Sequence, residues 1–216
     1  MKKILVLAAI LVLCTAAWGA QYPDEEIPMY NGRFTPEMRR SMHDQALVKA
    51  GSEVELKKRA NQISVGGWQA FFKGDVRSAV TLFNQSWILD PDAFSTYWGF
   101  ALVYRYRDHD MENAEAMYAK AETLHPDLGK FYVEYGRFVL ETDLAGVNRS
   151  IVLFRKGVDM NPNIRDGYIG LIRANAMKGD VKQMRYWFEK GKAAKAFETW
   201  ELDKFEAEIV KMEKGS

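Results

Sequence analysis

The stretch Ala79-Val80-Thr81-Leu82-Phe83-Asn84-Gln85-Ser86-Trp87-Ile88-Leu89-Asp90-Pro91 decides how this chain is read, because its spacing returns twice. A small residue stands twelve places before the proline, an aromatic eight, a second small residue five, and a Leu or Met two. The same places hold Ala114, Tyr118, Ala121 and Leu124 before Pro126, and Ser150, Phe154, Gly157 and Met160 before Pro162. The prolines lie 35 and 36 residues apart. A period of that length marks a stack of helical hairpins, none of which can bury its apolar face alone. Small residues let two helices approach, aromatics fill the gap to the next pair, and proline stops the second helix.

Upstream of each proline unit the first helix carries its own signature. Gly67 and Gly74-Asp75 precede the first; Tyr97, Phe100, Ala101 and Tyr104 the second; Tyr132, Tyr135 and Gly136 the third. A weaker fourth copy has Tyr168, Leu171, Gly179-Asp180, Phe188 and Gly191, but carries Ile172 where a small residue is expected and Ala196 in place of proline. These residues resemble the tetratricopeptide repeat (TPR) family, in its small exported bacterial form. The resemblance implies an all-α fold, a right-handed solenoid of stacked antiparallel helix pairs. Its copies fall at 60–93, 94–128, 129–164 and 165–196. The second and third are lengthened, and the extra residues fall near Arg107 to Met111 and Thr142 to Val147.

Outside the repeats, residues 20–34, with Pro23, Pro28 and Gly32, read as an extended leader. Residues 35–58 read as an N-terminal capping region: Thr35 caps a helix that opens on Pro36 and stops at Gly51, and Ser52-Glu53-Val54-Glu55 opens the next. Residues 197–214, with Leu202, Phe205, Ile209 and Met212 at helical spacing, read as a C-terminal capping helix.

Met1-Lys2-Lys3, the apolar run Ile4 to Leu13 and the small residues around Ala17 and Gly19 form a signal peptide, 1–19. The apolar run is shorter than the roughly 20 residues of a spanning helix, so no transmembrane span is expected after cleavage. The expected location is periplasmic or secreted. The alternative is a lipid anchor on Cys14, against which stands Leu13 where a small residue is required. Cys14 is the only cysteine, so the mature chain has no disulfide and no thiol chemistry. At 48% hydrophobic and 27% charged the chain is globular. Without Lys2 and Lys3, 28 basic residues face 29 acidic ones, which gives no general attraction to nucleic acid.

No catalytic constellation stands out. Asp108-His109-Asp110 is the densest group of possible ligands, and it sits at a turn where acids cap helices. No zinc-protease, phosphate-loop or serine-hydrolase motif occurs. The expectation is a non-enzymatic chain without cofactor or metal; an enzyme would need acids such as Glu141 and Asp166 to converge in a groove. Asn84-Gln85-Ser86 and Asn148-Arg149-Ser150 match the glycosylation pattern but fall in or beside helices.

The family resemblance also implies a groove lined by the first helix of each hairpin, binding a peptide or helix of another protein. The matching residues are Asn61, Ser64, Trp68, Phe71 and Phe72; Ser95, Trp98, Leu102, Arg105 and Tyr106; Lys130, Val133, Arg137, Leu140 and Glu141; Asp166, Ile169, Arg173, Ala176 and Met177. Trp68, Phe72 and Trp98 make one part aromatic, while Arg105, Lys130, Arg137 and Arg173 make another basic. Trp and Arg dominate interface energies, so the expected partner segment has an apolar anchor and an acidic group. Two other readings stay open: Trp68 and Phe72 pack on the preceding helix, and the arginines form a solvated face. The family's clamp for C-terminal carboxylates is absent, since Ser64 and Trp68 stand at its positions.

Overall fold

The structure is a computed structural model that describes residues 22–215. The signal peptide, its cleavage point and Cys14 lie outside the described residues. The fold is all-α, a TPR-like solenoid, and its helices are α1 (Pro36–Ala50), α2 (Glu53–Phe72), α3 (Val76–Leu89), α4 (Phe94–Val103), α5 (Met111–Thr123), α6 (Gly129–Thr142), α7 (Val147–Met160), α8 (Arg165–Met177), α9 (Val181–Ala193) and α10 (Thr199–Gly215). No strand occurs among the described residues. The chain divides into two compact units, Met1–Asp110 and Met111–Ser216.

In the first unit, local chemistry sets the helix ends. The Thr35 hydroxyl accepts the Met38 N–H, and Gly51 closes α1 at φ 82°. The Ser52 hydroxyl accepts the Glu55 N–H. From there α2 runs unbroken to Phe72, through position 60 where the repeats are expected to start. Gly74 turns the chain at φ 82°, and Asp75 caps α3 through the Ser78 N–H. The α2–α3 hairpin is closed by a buried Ser86, whose hydroxyl donates to the Ala60 carbonyl at 3.0 Å and also meets Thr96.

Phe83 is the centre of this unit. Its ring is fully buried, and an added Cβ at Gly67 of α2 or Gly99 of α4 would stand 2.6–2.8 Å from it. One ring is thus clasped by two glycines from successive hairpins. Tyr97 ties the proline turn to α4: its hydroxyl donates to the Pro91 carbonyl and accepts from Trp87 Nε1. After α4 the chain makes a π-turn, Tyr104–Asp108, and leaves it through His109 at φ 54°. The lengthening expected near Arg107 takes this form.

The leader is not simply extended. Asp24–Glu26 forms a short 3-10 turn, and Met29, Tyr30 and Asn31 follow one another at φ 53–55° before Gly32 at φ 69°. The segment packs on α3 beside α1.

The second unit repeats the scheme. Phe154 of α7 lies between Gly136 of α6 and Gly170 of α8, as Phe83 lies between Gly67 and Gly99. Gly129 and Gly157 bring the α6 and α7 backbones together. The Tyr168 hydroxyl donates to the Pro162 carbonyl, matching Tyr97 and Pro91. The lengthened turn between α6 and α7 is a 3-10 turn, Leu144–Gly146, capped by Asp143. The fourth copy forms its hairpin: Gly179-Asp180 turns into α9, with Asp180 capping through the Gln183 N–H. Where proline is missing, a left-handed Lys195 and an N–H bond from Ala196 to the Gly191 carbonyl end the helix instead. Phe205 and Ile209 of α10 then join a core of Leu171, Ile172, Met184 and Phe188.

Candidate functional site

The second unit holds a cleft of about 310 Å³ between α6, α8 and α10. Helical spacing on α6 points Val133, Arg137, Leu140 and Glu141 to one side, and α8 does the same with Asp166, Ile169 and Arg173. Seven of the ten groove residues expected in the third and fourth copies therefore meet, all but Lys130, Ala176 and Met177: Arg137 and Arg173 line one cleft, over an apolar floor that includes Leu140, Ile169 and Phe154.

The third wall comes from α10. Trp200, Glu201, Lys204 and Phe205 line the cleft, from a helix whose apolar spacing indicates only a cap. Phe205 and Ile209 seat it in the core, Arg185 pairs with its Glu206 and Glu213, and a further ion pair borders the cleft. Arg165 Nε and Nη2 donate to the two carboxylate oxygens of Glu201 at 2.8 and 2.6 Å, and the Glu198 N–H donates to the same carboxylate. Glu201 is buried while the Arg165 side chain stays 44% exposed. The hydrogen bond from Arg165 holds the Glu201 carboxyl below the usual carboxylate range, and its partner raises Arg165 in turn.

The charge balance follows. Arg137, Arg165, Arg173 and Lys204 face Glu141, Asp166 and Glu201. Arg165 and Glu201 satisfy each other, and Arg137 contacts Glu134 on its own helix. Among the described residues no ion pair forms on Arg173 or Lys204. The cleft thus offers two cationic side chains, an apolar floor and the indole of Trp200, which is 60% exposed.

The other expected residues are placed differently. In the first unit Trp68 packs against Trp98 of α4 (4.6 Å between rings), Phe72 of its own helix (5.7 Å) and Phe83 of α3 (5.5 Å). Trp98 is buried, and Arg105 is buried in the π-turn with its guanidinium over the Tyr106 ring. Both are buried within the scaffold, at positions where the family resemblance implies a groove surface. Phe72 is exposed, and Lys130 is exposed but outside the lining of the cleft. Arg107 Nε and Nη2 bond both oxygens of Asp108, the first acid of the Asp108-His109-Asp110 cluster. No group of three or more metal-ligating side chains occurs among the described residues. The missed residues are Arg165, Trp200, Lys204 and Phe205; the acidic-to-basic match of Glu201 with Arg165 spans 36 residues and leaves no local signal.

No protein-family model matches the sequence, and no curated protein matches it. Solved structures do. YrrB, described as a TPR protein with an unusual peptide-binding site, aligns with a TM-score of 0.53 at 16% identity, covering 70% of this chain and 74% of its own. Two structures of MamA align with TM-scores of 0.54, at 13% and 19% identity. They cover 75% and 74% of this chain, and 95% and 89% of their own. The fold is a TPR fold. Within this fold, Phe83 and Phe154 and the proline-anchoring Tyr97 and Tyr168 occupy places that the repeat pattern assigns to aromatics. No helix among the described residues is long and apolar enough to cross a membrane.

Proposed function

We propose that this chain is an exported, non-enzymatic protein-interaction module that binds a partner segment in the cleft between α6, α8 and α10. The observation that carries this reading is the pairing of an apolar floor with two cations, Arg173 and Lys204, that have no ion pair of their own among the described residues. A volume of about 310 Å³ is at the small end of ligand sites. It suits one or two side chains of a peptide or helix rather than a whole small molecule with its own shell. The partner segment therefore places an apolar side chain over Leu140 and Ile169 and a carboxylate between Arg137, Arg173 and Lys204. Export rests on the cationic and apolar N-terminal sequence, Met1 to Gly19.

The test is capture of partners from the cell envelope by the mature chain and by an Arg137→Glu, Arg173→Glu variant, followed by affinity measurement with the captured protein. The expected result is at least a tenfold loss of affinity in the variant, from replacing attraction by repulsion at two contacts. Unchanged affinity at low salt removes the cleft as the site.

A further inference from the structure

Residues 22–33 lie on α3 in the manner of a bound peptide. Asn84, fully buried on α3, uses every arm of its carboxamide on that segment. Its oxygen accepts the Met29 N–H at 2.7 Å, and its nitrogen donates to the carbonyls of Glu25 and Ile27 at 3.0 and 2.9 Å. These bonds go to main chain, which is how a site holds a peptide irrespective of sequence.

One side chain is read as well. Glu26 is buried, and its carboxylate pairs with Arg77 at 2.9 Å. Its carbonyl accepts from Arg107 Nη1 at 2.7 Å, and Arg107 also lies 4.2 Å over the Tyr22 ring. Asp108 fixes the Arg107 guanidinium in that position with two hydrogen bonds.

The backbone shape points the same way. Met29, Tyr30 and Asn31 are consecutive L-residues in the left-handed region. Such residues visit it singly and not in series. Within the segment the Tyr30 N–H bonds the Ile27 carbonyl and Asp24 pairs with Arg33, and Asn84 anchors Met29, the first of the three, so the surface and the segment's own contacts hold this shape together. The burial of Asn84 also removes its glycosylation pattern from the surface.

We infer that the face of α3 bearing Arg77 and Asn84, completed by Arg107, is a peptide-recognition site that takes a segment with a glutamate two residues before a proline, and that this chain fills it with its own Glu26-Ile27-Pro28. The site is separate from the α6–α8–α10 cleft and stands without it.

The probe is a fluorescent peptide with the sequence of residues 22–33, added to the full mature chain. In the wild type the tethered segment competes at an effective concentration on the order of millimolar. A Glu26→Arg chain sets like charge against Arg77 and vacates the site while leaving its walls intact. The peptide is expected to bind that variant at least tenfold more tightly than the wild type. Adding Asn84→Ala to it abolishes binding, and a peptide carrying lysine for Glu26 binds neither chain. Failure of the peptide to bind a helical Glu26→Arg chain overturns the inference, as does equal binding with and without Asn84. Should Glu26→Arg lose its helical circular dichroism, Tyr22→Ala replaces it. That variant removes only the ring beneath Arg107, and a gain of about threefold is expected; no gain overturns the inference equally.

Discussion

Replacing Gly170 by alanine sets two known effects against each other, and the geometry decides between them. In an ordinary helix interior the exchange stabilises by roughly 0.5–1 kcal/mol, because glycine loses more backbone freedom on folding. At Gly170 the new Cβ would stand 2.4–2.6 Å from three ring atoms of Phe154. That ring is 2% exposed, and a Cβ at Gly136 would also stand only 3.1–3.2 Å from it, so the ring is closely enclosed by both helices. Overpacking of this kind costs about 1–3 kcal/mol. The net expectation is a loss of about 1–2 kcal/mol, read as a fall of roughly 2–8 °C in melting temperature. Gly66 is the internal control: its Cβ would meet only Leu82 at 3.6 Å, an ordinary contact. Gly66→Ala should therefore raise stability by about 0.5–1 kcal/mol. Urea unfolding followed by circular dichroism measures both, and a Phe154→Leu background completes a double-mutant cycle. With the ring gone, Gly170→Ala should cost little or nothing. A Gly170→Ala chain as stable as the wild type, or an equal penalty in both backgrounds, would refute the clasped-ring account.

Glu201→Ala should cost about 1–2 kcal/mol at neutral pH, from loss of a charged hydrogen bond whose arginine partner remains partly solvated. Because the folded state lowers the Glu201 pKa, its contribution is present above the ordinary value of 4.5 and fades as pH falls through the lower folded value. Wild type and variant should accordingly draw together in unfolding experiments as pH falls below the ordinary carboxylate range. At the other extreme, burial pushes the Tyr104 hydroxyl up to about 12, with Asp108 and Asp110 adding to the shift, and burial with Glu115 raises Tyr135 further. Ultraviolet titration should show these among ten tyrosines ionising late and rejoining the rest in urea. The stability they contribute is whole below pH 10 and is lost as pH climbs through about 12. If the proposed export holds, the intact mass of the protein isolated from its cells should match a chain beginning at Ala20; an acylated Cys14 would move the chain to a lipid-anchored reading.

The repeat was legible because its signals are local and periodic: the prolines, the small residues five and twelve places before them, and the Gly-Asp turns at 74–75 and 179–180. Caps at Thr35 and Ser52 were legible for the same reason. Gly99 and Gly170 were not, since each matters only through a phenylalanine of the preceding hairpin. Arg105 was placed in the groove by counting along a regular helix. Arg105 instead stands at the opening of the π-turn 104–108, where the regular helical count ends. Of the cleft, α6 and α8 were visible as helix faces, and α10 was not. An amphipathic helix announces which side it buries but not which neighbour its polar edge will meet.

The leader has a consequence in time rather than in space. Asn84 and Arg107 grip residues that precede them by 55 to 81 positions. A chain made from its N-terminus has residues 22–33 in hand well before either side chain exists. At roughly 5–20 residues per second that interval is on the order of ten seconds. Residues 22–33 are thus placed only after α3 and the π-turn that follow them in the chain have been made. Throughout that interval it is available to whatever machinery meets a nascent chain.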